Sequence, residues 1–455
     1  MKKEVLLVAA LGALSIIGPA RAAEKEPPRK VITLCGHRLE LMTPDEVKAL
    51  GFPWTDVPDA ENAAAFYIKG ANALHASGDV GTPWREYDYV QKNPWDPALT
   101  GLAKKLDASR AALNYYRQGS TKKLCQLPFN KSPILAGMLL PDLGQARNAC
   151  RLLAAEARRF ESQKKFTEAV DTYLAILRIG SHHAKYGRTL IDHLVGIAGM
   201  SIGLNGAFYG VCRHTYPPAE LKRFLAELDK LADVMPDYAR AMQSERAFGL
   251  GCIDDLMRLG SGGAQLLQAM NVNAPVVPGS PLTVRITRIV LPDRTIKADM
   301  GRFYDRHIAA AKQPAYSEAA RRDYAKDCKP WNVLAQMLLP ALGRARDEGE
   351  KVRARYHALR VVLALKLYRA REGAYPDQLT WLVAERLLPK IPPDPFSGKP
   401  LRYKLLQGKF LVYSVGPNFT DDGGSVEAPD RETGDIGYSS KLPPVTGYKQ
   451  KGGAR

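Results

Sequence analysis

Residues Leu194 to Cys212 read LVGIAGMSIGLNGAFYGVC, a stretch with no formal charge in which Gly196, Gly199, Gly203, Gly206 and Gly210 are spaced alternately three and four apart. That spacing places all five glycines on one face of a helix, and a face without side chains lets a second helix approach closely. A run this apolar has to be covered by protein or by lipid. Its length is near the roughly 20 residues that span a bilayer, but Asn205 within it, its many glycines and Asp192 and His193 beside it favour a buried core helix. The expectation is a helical core built around this segment, with no stable membrane span in the mature chain.

The flanking sequence extends that core. In QARNACRLLAAEARRFESQKKFTEAVDTYLAIL, Ala146, Ala149, Leu153, Ala157 and Phe160 recur at helical spacing. After the polar turn Ser162 to Lys165, Phe166, Ala169, Val170, Tyr173 and Leu177 do the same, which predicts a helical hairpin. Its second half resembles the second helix of a tetratricopeptide repeat over about one repeat, whereas a solenoid needs about three to bury a continuous core. Upstream, Thr43-Pro44-Asp45-Glu46 supplies a cap, a first-turn proline and a capping-box glutamate. A helix is expected from Pro58, with Ala64, Ile68, Ala71 and Leu74 inward. The stretch SGDVGTPWREYDYVQKNPWDP is expected as a loop, its Trp84, Tyr87, Tyr89 and Trp95 closing a core or stacking on sugar rings. Helix returns near Ile296, with Met300, Phe303, Tyr304 and Ile308 on one face, after a Gly/Ser/Pro-punctuated loop near residues 260–281.

The N-terminus carries Lys2 and Lys3, an apolar run from Val5 and an Ala20-Arg21-Ala22 cleavage signal, which reads as a secretory signal peptide over residues 1–22 and places the chain in the periplasm or at the surface of a bacterium. In that oxidising setting the six cysteines, including Cys328, are expected as buried thiols with one or two disulfides. A net charge of +18 suits anionic partners such as envelope polymers, but much of it is scattered over helix faces at Arg353, Arg355, Arg360 and Lys366. Nucleic-acid recognition is not expected, since no motif interleaves basic and aromatic residues.

LAGMLLPDLGQAR at Leu135 to Arg147 returns as LAQMLLPALGRAR at Leu334 to Arg346, identical at ten of thirteen positions. Pro141 and Pro340 are each expected to break or kink a helix, with a new helix starting downstream. From the second copy, MLLPALGRARDEGEKVRARYHALRVVLALKLYRAREGAYP resembles the helix of pseudopilins, with its Leu-Leu-Pro-Ala phrase and its Gly-x-Tyr-Pro exit at Gly373, Tyr375 and Pro376. The remainder is similar to the major pseudopilin of type II secretion systems: a short helix from Asp377 to about Leu388, PPDPFSGKPLRY, a strand pair, YSVGPNFTDDGG and GDIG. Residue spacing agrees. Val352, Tyr356, Leu359, Leu363 and Leu367 form one helical stripe, and Leu401, Tyr403 and Leu405 alternate before a Gln407-Gly408 turn and a returning strand, Phe410 to Val415. Unlike filament subunits, the chain has polar, interrupted sequence before Leu334, so filament assembly is not expected.

The resemblance implies a calcium ion in the loop, structural rather than catalytic, for which Asn418, Asp421, Asp422 and Asp435 can supply hard oxygens. Asn418 stands where the family often has aspartate. A glycine turn with solvated carboxylates fits the same residues. An EF-hand frame from Asn418 ends on Pro429 instead of a glutamate, and the glycines open no helix that would cradle phosphate. His182, His183, His193 and Asp192 lack a recognised zinc spacing; the paired histidines are expected to cap a helix C-terminus. The Ser-x-x-Lys matches lack the phrases that accompany them in penicillin-binding enzymes, and adjacent Asp254 and Asp255 have no identifiable acid/base partner.

The fold expected is mainly α, with repeat-like hairpins and a C-terminal α+β pseudopilin-like unit. Its divisions are a leader (1–22), a small mixed segment (23–57), a helical domain (58–330), the pseudopilin-like domain (331–440) and a tail (441–455). No catalytic constellation stands out. The function expected is non-enzymatic binding or scaffolding of a protein partner or anionic envelope polymer; the alternative is an envelope hydrolase or glycan-binding protein.

Overall fold

The computed structural model describes residues 29–78, 83–231, 235–259, 293–321, 333–426, 434–445 and 447–448. The leader, the punctuated loop, Cys328 and residues 449–455 lie outside the described residues. Strands β1 (Val31–Leu34) and β2 (His37–Glu40) pair antiparallel across a turn in which Cys35 and Gly36 both take positive φ. Both strands fall in the segment expected to be small and mixed. Helix α1 (Pro44–Ala49) starts as expected: the Thr43 hydroxyl accepts from the Glu46 amide, and the Glu46 carboxylate accepts from the Thr43 amide.

Then follow α2 (Ala63–Ala76), α3 (Trp84–Lys92), α4 (Thr100–Ala108) and α5 (Arg110–Ser120). The expected aromatic loop is therefore largely helix. Tyr87 and Val90 are buried on one face of α3, a spacing of three that was present in WREYDYVQK but overshadowed by the flanking Gly and Pro. The predicted hairpin is α6 (Asp142–Ser162) and α7 (Phe166–Tyr186), and the glycine-striped run is α8 (Leu190–Arg213). Helix α8 is long and apolar enough to cross a membrane by length and composition, and its glycine face lies on α7. A Cβ at Gly180 of α7 would stand 2.7 Å from the Gly196 carbonyl oxygen, so these backbones touch with nothing between them.

Helices α9 (Pro218–Lys230), α10 (Tyr238–Leu259), α11 (Asp293–Ala311) and the one-turn α12 (Glu318–Arg321) lead to α13 (Val333–Glu372), followed by α14 (Thr380–Ala384). Helix α14 is shorter than the sequence suggested, ending where Arg386 enters the left-handed region. Strands β3 (Arg402–Leu406), β4 (Lys409–Ser414) and β5 (Ile436–Ser439) form an antiparallel sheet in that order. Gln407 and Gly408, both at positive φ, close the β3–β4 hairpin and pair Leu406 with Lys409, in line with the expected turn.

The repeated phrase adopts two conformations. In the first copy a 3-10 turn (Leu135–Gly137) precedes Pro141, which caps a fresh helix. In the second, α13 runs through Pro340 as one helix, so the new helix expected to start downstream of it does not form. Losing one backbone hydrogen bond at an interior proline costs about 3 kcal/mol, an amount that packing along a helix of 40 residues can offset.

Helix α13 is also more deeply enclosed than one stripe implies. Val352, Tyr356, Leu359 and Leu363 are buried as predicted, but so are Val361, Val362, Ala364 and Leu365 around the helix. It packs against α8 and α9 and against β4 and β5. A continuous apolar core therefore runs from Ala63 through Leu363 to Phe410, Val412 and Tyr438. The chain is mainly helical with a small three-stranded antiparallel sheet near its C-terminus, and α13 belongs to both.

Candidate functional site

The loop after β4 turns sharply because Gly416, Phe419, Gly423 and Gly424 all take positive φ. Phe419 is not a glycine; its ring lies edge-on to Phe396 at 5.9 Å, with the Arg321 guanidinium 4.1 Å from its centroid. Side chains fold the loop on itself. Asn418 Oδ1 accepts from the Thr420 amide at 3.0 Å and Asp421 Oδ1 from the Gly423 amide at 3.0 Å, as short polar residues do in turns. Asn418 Nδ2 donates to Asp422 Oδ2 at 2.8 Å, Arg402 pairs with Asp421, and Lys404 Nζ donates to the Gly423 carbonyl at 2.9 Å.

Asp435, immediately before β5, is buried. Its Oδ2 accepts from the Gly424 amide at 2.6 Å, while Oδ1 is buried with no hydrogen-bond partner. Burial, helped by the neighbouring Asp421 and Asp422 charges, pushes its carboxyl above the usual range against the opposing pull of the Gly424 and Asp422 amides. Asp421 goes the other way: burial opposes ionisation, but the Gly423 amide, the Tyr413 hydroxyl and Arg402 outweigh it and hold its carboxyl low. The four residues named from sequence thus share one region, with Asp421 already neutralised by Arg402. Among the described residues, no group of three His, Cys, Asp or Glu is placed to hold a metal ion.

One anchor of this loop escaped the sequence reading. Asp394 is buried and accepts four hydrogen bonds, from the Phe396 amide (2.9 Å), Ser397 Oγ (2.7 Å), Ser414 Oγ (2.5 Å) and the Val415 amide (3.2 Å). It ties the Pro393 segment to the end of β4. The signal was an aspartate two and three residues before Phe396 and Ser397 in DPFSG, a spacing typical of aspartate turns.

A second polar cluster is sealed in the helical core. His182 and His183 do not cap a helix end; they lie in the last two turns of α7 with their side chains buried. Tyr67 Oη is 2.6 Å from His182 Nδ1, and His183 stacks on the Tyr67 ring at 5.7 Å. His193 Nδ1 lies 2.8 Å from the Ala184 carbonyl. Beside them Arg188, almost fully buried, donates to Asp142 Oδ2 at 2.9 Å and Asp192 Oδ1 at 2.7 Å. Burial opposes the Arg188 charge, but the two carboxylates reverse that and hold its pKa above the usual value. A comparable network joins Arg158 to Glu161, which also accepts from Tyr173 Oη (2.9 Å) and Tyr216 Oη (2.6 Å). Neither network was visible in the sequence, because the local pairs Arg188–Asp192 and Arg158–Glu161 look like ordinary helix-surface spacings and their completing partners, Asp142, Tyr173 and Tyr216, come from elsewhere in the chain.

Burial pushes His182 down to about 3 and lowers His183 and His193 as well. Between the folded value of His182 and its ordinary 6.5, the unfolded chain binds a proton that the folded chain does not. The stability that this neutral imidazole contributes is therefore fully present above pH 6.5 and declines as pH falls toward 3. Urea unfolding at pH 7.5 and 5.5 should show a loss on the order of 1 kcal/mol from His182, with His183 and His193 acting in the same direction. His182→Gln should flatten that slope. Equal stability at the two pH values would show that these imidazoles are not held neutral.

Most of the described aromatic stretch closes the core. Tyr87 is in the core, Tyr89 and Trp95 pack against it, and the exposed Trp84 carries the Arg151 guanidinium 4.7 Å from its ring centroid. The five described cysteines, Cys35, Cys125, Cys150, Cys212 and Cys252, are free thiols, and burial raises all of them. Asp254 pairs with Lys297 at 2.6 Å, whereas Asp255 accepts from the Leu135 amide at 2.5 Å, so these adjacent acids serve separate contacts. Compared with family models, curated proteins and solved structures, the chain has no match.

Proposed function

We propose that this chain is an exported binding and scaffold protein of the bacterial envelope, whose C-terminal helix and sheet form a pseudopilin-like unit clipped by calcium. The observation that carries the calcium reading is Asp435 Oδ1, a buried carboxylate oxygen without a partner beside Asp421 and Asp422. An unpaired buried acceptor is costly, and like charges nearby add to the cost; a hard cation relieves both. The three carboxylates are not gathered as ligands in this structure, so an ion held by Asp435, Asp422, Asp421 and the Asn418 amide would have to draw the loop acids toward Asp435, with Arg402 giving up part of its hold on Asp421. The ion would supply cross-linking charge between the loop and the start of β5, not a reaction centre. The shared helix α13 supports the scaffold reading, because it fixes the sheet to the helical body and presents both as one surface.

For an extracellular-type site with Kd near about 1 mM, about 10 mM calcium stabilises by about 1.4 kcal/mol. Thermal melts of the mature chain should rise in calcium relative to chelator, and Asp435→Ala should abolish the difference. Identical melts in wild type would refute the clip. The binding role is tested separately by capture from envelope extract, with a partner or anionic polymer expected to be retained in calcium. Recovery of the bare chain in both calcium and chelator would refute it.

A further inference from the structure

A cleft of about 530 Å³ opens between the end of α3, α8, α13, β5 and the segment after β5. That volume lies within the range of small-molecule sites, roughly 300–1,000 Å³. Three cations from different elements line it: Lys92 at the end of α3, Arg355 on α13 and Lys441 beyond β5. Among the described lining residues the one carboxylate is Asp435. Arg355 is half-buried and makes no ion pair or hydrogen bond among the described residues, in contrast to Arg353 and Arg360 on the same helix, which pair with Glu350 and Asp229. A guanidinium held on a rigid helix, with no carboxylate partner among the described residues, suits a planar anion from outside.

The neighbouring donor is also set in place. Asn205 Oδ1 accepts from Tyr438 Oη at 3.2 Å, which orients the amide and leaves Nδ2 without a partner among the described residues. The segment after β5 adds the apolar lining of Leu442 and Pro443, and the Pro443 carbonyl accepts from Arg213 at 2.7 Å, fastening that segment to α8. Fixed walls lower the ordering cost of binding.

We infer that this cleft binds a small amphiphilic carboxylate, its anion on Arg355 and Asn205 and its apolar body against Leu442 and Pro443. Lys92 and Lys441 at the rim draw the anion in. The inference goes beyond the scaffold role and needs neither the calcium clip nor a macromolecular partner.

Calorimetric titration of the mature chain in chelator at low salt, with 4-phenylbutyrate and its neutral analogue 4-phenylbutyramide, tests it. A charge-assisted pair should make the acid bind about tenfold tighter than the amide. Arg355→Gln should bring the two within about twofold, and the exposed Lys441→Gln should weaken the acid about twofold while leaving the amide unchanged. The proposal is overturned if acid and amide bind alike, if neither binds by about 10 mM, or if folded Arg355→Gln, checked by its melting curve, retains the discrimination.

Discussion

Replacing Arg188 with methionine is expected to destabilise the protein by about 3–5 kcal/mol, because it leaves two carboxylates buried without their counter-charge. Asp142 comes from the start of α6 and Asp192 from the first turn of α8, and Arg188 meets both from the α7–α8 connection. Asp192 also caps α8 with Thr189, so the lost charge pair sits where three elements join. The comparison that isolates charge from packing is a triple variant, Arg188→Met with Asp142→Asn and Asp192→Asn. Once the acids are neutral there is no orphaned charge, and asparagine still serves as an acceptor at the cap. Urea denaturation should therefore find the triple variant more stable than Arg188→Met alone. If the single variant costs less than about 1 kcal/mol, or the triple costs more than the single, the cluster is not held by charge compensation.

Gly196→Ala should be comparably damaging for a steric reason. A Cβ there would overlap the Ala184 amide and the Gly180 carbonyl, which are backbone atoms of α7 and cannot swing aside. Overpacking of a tight core costs about 1–3 kcal/mol and occasionally more, and contact with backbone on both flanks places this site at the upper end. The α7–α8 pair would have to separate along its length, disturbing the buried histidines and the Arg188 cluster. Gly144→Ala provides the opposite case. It lies within α6 with nothing near its missing side chain, so alanine should stabilise by up to about 1 kcal/mol through helix propensity. Similar effects at the two positions in thermal and urea melts would show that the glycine stripe does not mediate close helix packing.

Local features were the legible ones. The capping box at Thr43, the turn after Ser162, the glycine face of α8 and the Gln407-Gly408 hairpin all stood in short segments whose spacing or turn chemistry is self-sufficient. The loop residues Asn418, Asp421 and Asp422 were recognisable for the same reason, since they sit within five positions of one another. Asp435 was placed with them, but its orphaned oxygen and the grip of Arg402 on Asp421 became visible only once β3, β4 and β5 lay side by side. The aromatic stretch misled because Gly and Pro at its ends outweighed the helical spacing of Tyr87 and Val90.

By itself the sequence determined several helices and their apolar faces, among them α2, α6, α7 and α8, and where several turns fall, because those properties depend on neighbours three or four residues away. It did not determine that one phrase would be broken at Pro141 and continuous through Pro340, nor that α13 would be enclosed on nearly every side. It also left open that His182 would be held neutral and Arg188 charged in the same core. Those outcomes depend on the dielectric surroundings and partners that packing brings from distant parts of the chain. A side chain's burial and charge state are properties of the assembled neighbourhood, and only the tertiary structure specifies that neighbourhood.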